Sequence, residues 1–237
     1  MSKILILSGA GISAESGINT FRDSDGLWEG HEIAKVAQIG VLETNRVEAI
    51  EFYDKRRLDI KNKEPNKAHK VIAKLKSKYP KEISIITQNV DNLFEKAGLE
   101  SKEIVHLHGF LTEVRCEQCN FTYDIGYKKI GEDSFNGKCP KCYSKKIRPN
   151  IVMFGEEAPN YRVLNNELND CELLVVIGTS GNVLDVTAMA KYIPNSILNN
   201  LEKSDAIDDS VFNKTIYNKA TEAICDIEKE IELFLKI

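Results

Sequence analysis

The chain has 237 residues, enough to bury one full hydrophobic core and a smaller appendage but too few for two ordinary α/β domains. Hydrophobic residues make up 42% and charged residues 29%, the balance of a soluble globular protein, and a formal net charge of -4 argues against a molecule-wide nucleic-acid-binding surface. No apolar run approaches the ~20 residues that span a bilayer, and the first of them, Ile4 to Leu7, is too short for a signal-peptide core; the expected compartment is the cytoplasm.

Taken in chain order, Ile4 to Leu7 is a continuous apolar run ending in Ser8-Gly9, which predicts a buried parallel strand. Ala34 to Lys63 reads as helical, charged and without a strand. Asn66 to Lys78 follows Pro65 and sets Ala68, Val71, Ile72 and Leu75 on one helical stripe. Further strands are predicted at Ile83–Thr87, Ile104–Leu107, Ile151–Phe154, Leu173–Ile177 and Ser196–Leu198, with a weaker one at Thr215–Tyr217. A last helix, about Thr221 to Leu235, repeats Ile224, Ile227 and Ile231 at helical spacing. Strands alternating with helices predict an α/β fold with a mostly parallel, Rossmann-like sheet. The alternation is broken twice, at 34–63 and again at 112–148, where four cysteines lie. Both read as insertions that together form a smaller domain, leaving 1–33, 64–111 and 149–237 for the large one.

Of the six cysteines, Cys171 and Cys225 stand alone in apolar segments and read as small buried hydrophobes. The others form Cys116-x-x-Cys119 and Cys139-x-x-Cys142, a spacing that points two pairs of thiolates at one tetrahedral ion. Four cysteines leave no open position for a reacting water, so a structural zinc is expected. A ribbon that binds nucleic acid is the competing role, weakened by the small local excess of basic residues.

Gly9-Ala10-Gly11-Ile12-Ser13-Ala14 follows the first strand and fits G-x-G-x-x-G/A, where glycines allow a tight turn and close approach to a pyrophosphate. The second strand ending in an acidic residue that an ordinary hydride-transfer unit needs is missing; a polar loop, Gly17 to Asp23, stands there instead.

The run Gly9 to Asp23, G-A-G-I-S-A-E-S-G-I-N-T-F-R-D, resembles the first signature of the sirtuin family. Thr87-Gln88-Asn89-Val90-Asp91-Asn92-Leu93, His106-Leu107-His108-Gly109, the four cysteines, Asn150 to Glu156, Gly178-Thr179-Ser180 and Pro65-Asn66-x-Ala68-His69 extend the resemblance in the family's order. Phe94 and Asp185 depart from it, where histidine and proline are common. The resemblance implies removal of acyl groups from protein lysines at the expense of NAD, releasing nicotinamide. It casts His108 as the base near the ribose hydroxyls, a role that suits an imidazole near neutral pH. His106 is not singled out, although strand alternation would put both rings on one face. His69 and His31 read as structural or surface residues.

By the same resemblance Asn89 and Asp91 hold the nicotinamide ribose and carboxamide, with Gln88 against the ribose. Ala10, Ser13, Phe21 and Arg22 line the pyrophosphate and nicotinamide region, and Gly9, Gly11, Ala14, Glu15, Trp28 and Val90 complete that half of the pocket. Gly178, Thr179, Ser180, Asn200, Leu201, Glu202 and Ala220 are cast on the adenosine half. Val152 and Phe154 would flank the acyl-lysine, with backbone at Val152 pairing to the peptide as an added strand. Tyr53 and Arg56 are three apart and share a helix face; a guanidinium fork beside a phenol suits a small carboxylate. With Ala37, this pair resembles the subgroup that removes succinyl and malonyl groups; the plainer alternative is a solvated charged face.

The implied partners are acylated-lysine proteins or peptides, with no membrane and no nucleic acid, and the expected state is a monomer. Transfer of ADP-ribose to a protein is the rival activity, since it needs the same pocket. A zinc-ribbon nucleic-acid binder that only senses NAD is the third reading.

Overall fold

The apolar run at the start of the chain forms β1 (Ile4–Ser8), all five residues buried. The computed structural model describes residues 3–19, 27–28 and 31–236. After β1 the backbone makes two 3-10 turns, Ala10–Ile12 and Ala14–Ser16. A two-residue hairpin pair follows, β2 (Leu27–Trp28) and β3 (His31–Glu32), running antiparallel. Three helices make up the first insertion: α1 (Ile33–Val36), α2 (Val41–Thr44) and α3 (Arg46–Asp59).

The chain then re-enters the α/β pattern with α4 (Lys67–Lys78), whose cap, Asn66, accepts from the backbone N–H of Ala68 at 2.9 Å. Next come β4 (Ile83–Thr87), α5 (Leu93–Lys96) and β5 (Ile104–His106). The ribbon follows as β6 (Gly109–Cys116), β7 (Thr122–Asp124) and β8 (Ile147–Ile151), in the order β7-β6-β8 and antiparallel throughout. The last third is α6 (Tyr161–Asn169), β9 (Leu173–Ile177), α7 (Val186–Tyr192), β10 (Asn195–Asn200), β11 (Lys214–Tyr217) and α8 (Ala220–Phe234).

Six strands form one parallel sheet in the order β11-β10-β9-β1-β4-β5. Alternation along β1 divides the core between its faces. Ile4 and Ile6 pack with Ile72 of α4 and Ile224, Ile227 and Ile231 of α8, while Leu5 and Leu7 pack with Leu164 of α6 and Ala190 of α7. Because β1 lies between β4 and β9, strand order reverses around it, which opens a crevice at the carboxyl ends of these three strands. Asp185 caps α7 by accepting from the Ala188 N–H at 2.9 Å, and Phe94 packs edge-on against His69 with centroids 5.0 Å apart. Both departures from the family pattern therefore have structural occupations here.

The insertion helices share a core with the ribbon strands: Val36, Leu42, Phe52 and Tyr53 pack with Leu111, Ile151 and Met153. A fully buried Arg57 ties the two pieces together. Its Nε donates to the Leu111 carbonyl at 2.6 Å, and its guanidinium pairs with Asp54, whose carboxylate accepts from the Ile130 N–H at 3.2 Å. Among the described residues no helix is long and apolar enough to cross a membrane.

Two strand expectations are corrected. The strand expected at Ile151–Phe154 instead occupies Ile147–Ile151, and the chain beyond it leaves the sheet. Phe154 donates its N–H to Ala37 and accepts from Ile39, both at 2.8 Å, so the α1–α2 connection has captured that segment's backbone. The strand expected to reach Leu107 stops at His106. Leu107 still donates to the Thr87 carbonyl, but Gly109 turns at φ +91°, and a Cβ there would lie 2.0 Å from the Asn150 carbonyl oxygen. Gly109→Ala is accordingly expected to destabilise the fold by more than about 2 kcal/mol, from left-handed strain plus overpacking. A thermal melt within a degree of wild type would contradict that.

Candidate active site

The crevice at the strand ends continues between the sheet and the insertion as a cavity of about 840 Å³. Within the described residues, every sequence-predicted cofactor and substrate residue other than Trp28 lines it, as does His108. Phe21 and Arg22 lie outside the described residues, and Trp28 is described only as backbone of β2.

The floor is set by close backbone packing. The Gly11 N–H donates to the Gly178 carbonyl at 2.8 Å, and a Cβ on Gly11 would lie 2.6 Å from the Gly178 Cα. That contact brings the turn after β1 against the loop after β9, which no side chain would permit. The donor set beside it suits an anionic dinucleotide: small residues, backbone N–H groups and a loop rising from a buried strand.

Polar side chains then bridge the strand-end loops. The Asn89 amide donates to the Ser13 hydroxyl at 3.0 Å, and Ser13 donates to Asp91 at 3.0 Å. Asp91 also accepts from the Leu93 N–H at 3.1 Å. Burial pushes the Asp91 carboxyl up, with the Leu93 and Ser13 hydrogen bonds opposing. Gln88 donates to Thr179 at 3.1 Å, and Asn200 donates to the Thr179 carbonyl at 2.9 Å, so the β4, β9 and β10 loops form one connected wall. Glu15 faces the cavity but its carboxylate also accepts from the N–H and hydroxyl of Thr221, at 3.0 and 2.7 Å, at the start of α8.

The two histidines of the His106-Leu107-His108 segment part company because β5 ends between them. His106 places Nδ1 2.8 Å from the Asn89 carbonyl and Nε2 3.0 Å from Glu95. Burial alone would lower its pKa, but Glu95, the Asn89 carbonyl and Asp91 together raise it. His108 places Nδ1 3.0 Å from the Gln88 carbonyl and is pushed down by burial, with that carbonyl opposing. The surroundings thus favour the charged form of one ring, which acts as a brace, and the neutral form of the other, which can accept. His69 is fully buried and pushed down to about 4 by burial, which fits its structural reading.

Tyr53 and Arg56 sit on the α3 face that closes the cavity, 1% and 8% exposed. The solvated-face alternative is therefore excluded for this pair. Burial pushes the Tyr53 phenol up and the Arg56 guanidinium down, the latter opposed by Asp59. The Arg56 guanidinium lies 5.1 Å from the centroid of the Phe52 ring. Ala37 is buried beside them, Phe154 is half-exposed, and the Val152 N–H is already given to the His108 carbonyl at 2.9 Å. An incoming strand could pair at Val152 only through its carbonyl.

Outside the cavity, the Cys116 and Cys142 sulfurs are 3.6 Å apart, as are those of Cys119 and Cys139, and all four lie within 4.8 Å. Tetrahedral bonds of ~2.3 Å to zinc separate sulfurs by slightly under 4 Å, so the set fits one ion.

Sequence reasoning passed over Tyr161, whose hydroxyl lies 3.1 Å from His108 Nε2, and Asn160, whose amide donates to the His106 carbonyl at 2.8 Å. Neither belongs to a local motif; only the packing of α6 brings them to the site.

Residues 9–185 match the model of the Sir2 family. An NAD-dependent protein deacylase of Campylobacter jejuni strain RM1221 is 48% identical over 100% of this chain and 98% of its own length. Its counterpart in Helicobacter hepaticus is 38% identical over 99% of each. Among solved structures, a Sir2 homologue in complex with NAD superposes with a TM-score of 0.80 at 32% identity, covering 99% of this chain and 91% of its own. On motif order, fold and these similarities, the chain belongs to the Sir2 family.

Proposed function

We propose that this protein is an NAD-dependent protein-lysine deacylase whose acyl pocket accepts succinyl and malonyl groups as well as acetyl. The observation that carries the reading is the convergence of Tyr53 and Arg56 on the cavity that also holds His108 and the glycine turn.

NAD, when bound, supplies the ADP-ribosyl group that takes the acyl group, giving nicotinamide, deacylated lysine and O-acyl-ADP-ribose. Gly9, Gly11 and Gly178 let the turn after β1 and the loop after β9 pack backbone to backbone, shaping the turn that would take a pyrophosphate, and Ser13, Asn89 and Asp91 form the polar wall against which the nicotinamide ribose would be held. His108, neutral at pH 7 and carrying its proton on Nδ1, offers Nε2 to a ribose hydroxyl. Val152 and Phe154 flank the tunnel through which an acyl-lysine from a protein or peptide reaches that base. At the tunnel end Arg56 would receive the distal carboxylate and Tyr53 donate its hydroxyl.

A charge-assisted hydrogen bond contributes roughly 1.5–3 kcal/mol, so Arg56→Met should lower desuccinylation by about ten- to a hundred-fold. Deacetylation should change far less, because acetyl presents no carboxylate to the fork. The loss belongs mainly in KM if the carboxylate is held equally in ground and transition states. Tyr53→Phe should give a smaller loss with the same selectivity. The deciding quantity is the ratio of kcat/KM for succinyl- and acetyl-lysine peptides in wild type and Arg56→Met. An unaltered ratio would reduce the enzyme to a plain deacetylase.

A further inference from the structure

Among the described residues His108 makes one hydrogen bond through each ring nitrogen. The Gln88 carbonyl can only accept, so Nδ1 bears the proton and the lone pair of the neutral ring lies on Nε2. That nitrogen faces the Tyr161 hydroxyl at 3.1 Å, and the hydroxyl therefore donates to it. The rings approach at an angle, centroids 6.0 Å apart and planes tilted by 50°, so the contact is a hydrogen bond and not a stack. One residue earlier, Asn160 donates to the His106 carbonyl at 2.8 Å. The start of α6 thus grips both ends of the His106–His108 turn, while the Asn89 and Gln88 carbonyls hold the two rings by Nδ1.

We propose that Tyr161 is a positioning residue for His108: its hydroxyl caps Nε2 in the free enzyme and gives way to the ribose hydroxyl in the reacting complex. The inference rests on His108 being the base. A single lone pair cannot accept two full hydrogen bonds, so the cap and the reactive contact exclude each other. The cap is offered to the neutral ring and favours it, which lowers the proton affinity of the free enzyme's base; once displaced, it no longer does so. Other titratable groups line the cavity: Glu15 after β1, Asp91 from the loop after β4, Glu156 beyond β8, Tyr53, Arg56 and Asp59 from α3, Glu202 after β10 and Lys219 before α8. Asp91 is held by Ser13 and the Leu93 N–H, and Glu156 pairs with Arg148 through both oxygens, at 2.6 and 2.9 Å.

Tyr161→Phe removes the hydroxyl and keeps the half-buried ring. In the free variant the pKa of His108, followed by NMR and assigned by the signal missing from His108→Ala, should rise by about half a unit to one unit. The acid limb of kcat/KM for an acetyl-lysine peptide should rise with it, because that parameter reports the free enzyme. The acid limb of kcat, which reports the complex, should stay where wild type has it. An unmoved free-enzyme pKa would overturn the cap. A kcat limb that moved as far as that of kcat/KM would overturn its displacement. Near-normal deacylation by His108→Ala would instead remove the base assignment itself, so the two failures are told apart.

Discussion

His108→Ala is expected to lower deacylation by about 10²- to 10⁴-fold, the usual loss when a positioned base is removed. The side chain sits in a turn, not in a strand, and makes only two hydrogen bonds among the described residues, so its truncation leaves the sheet untouched. Thermal stability should stay close to wild type. The wild-type pH profile carries the same assignment. Because burial depresses this histidine, it remains neutral below the ordinary value of ~6.5, and activity should fall only as pH drops through that lowered pKa. Steady-state rates with an acyl-lysine peptide, at saturating NAD and across pH, decide the matter. Near-normal turnover in the alanine variant would show that another group takes the proton.

Removal of zinc should have the second large effect, on structure before activity. The ribbon's own core consists of Val114, Cys116, Ile125, Cys139 and Ile147, so two of its five buried side chains are metal ligands. Without the ion nothing draws those sulfurs together, and three aliphatic side chains cannot order the β6–β8 sheet. Structural zinc contributes roughly 10–16 kcal/mol in small finger peptides, enough to decide whether such a unit folds. The damage should spread: Arg57 and Asp54 on α3 bond to Leu111, Lys128 and Ile130 of the ribbon segment, and Tyr53 and Arg56 lie on the same helix. A strong chelator, or Cys139→Ser, should therefore abolish deacylation and partly unfold the protein by circular dichroism. The parallel sheet has separate cores on its two faces and should persist. Metal analysis should find one zinc per chain; a metal-free protein with an intact ribbon spectrum would refute the assignment.

How much could be read beforehand depended on how locally each feature is specified. Parallel strands buried on both faces write themselves as apolar runs, which is why Ile4–Leu7, Ile83–Thr87 and Leu173–Ile177 were legible. The start of α4 was legible because a cap needs only Asn66 and the two N–H groups after it. Where the chain's partners are distant, the pattern misled. The apolar stretch Ile151–Phe154 looks like a strand, but its last residue finds its hydrogen bonds at Ala37 and Ile39, more than a hundred positions earlier. For Arg56, in a run of charged residues, the sequence left a solvated face open as the alternative to a carboxylate receptor. Packing against β6 and the ribbon buries both Arg56 and Arg57, one toward the cavity and one against the Leu111 carbonyl.

By itself the sequence determined the chemistry available: a glycine turn after a buried strand, four thiolates at metal spacing, and the motif order of a family. These are short-range facts, fixed by backbone sterics and by ligand geometry within a few residues. The family resemblance already preferred His108 to His106, but only the tertiary structure gives the two rings different surroundings. His106 and His108 are the same side chain two positions apart. One is held by Glu95, which favours its charged form; the other, beyond the end of β5, lies against the Gln88 carbonyl with its second nitrogen turned to Tyr161. A pKa is set by burial and neighbouring charge, and those neighbours come from α5, the β4 loop and α6, which only folding brings together.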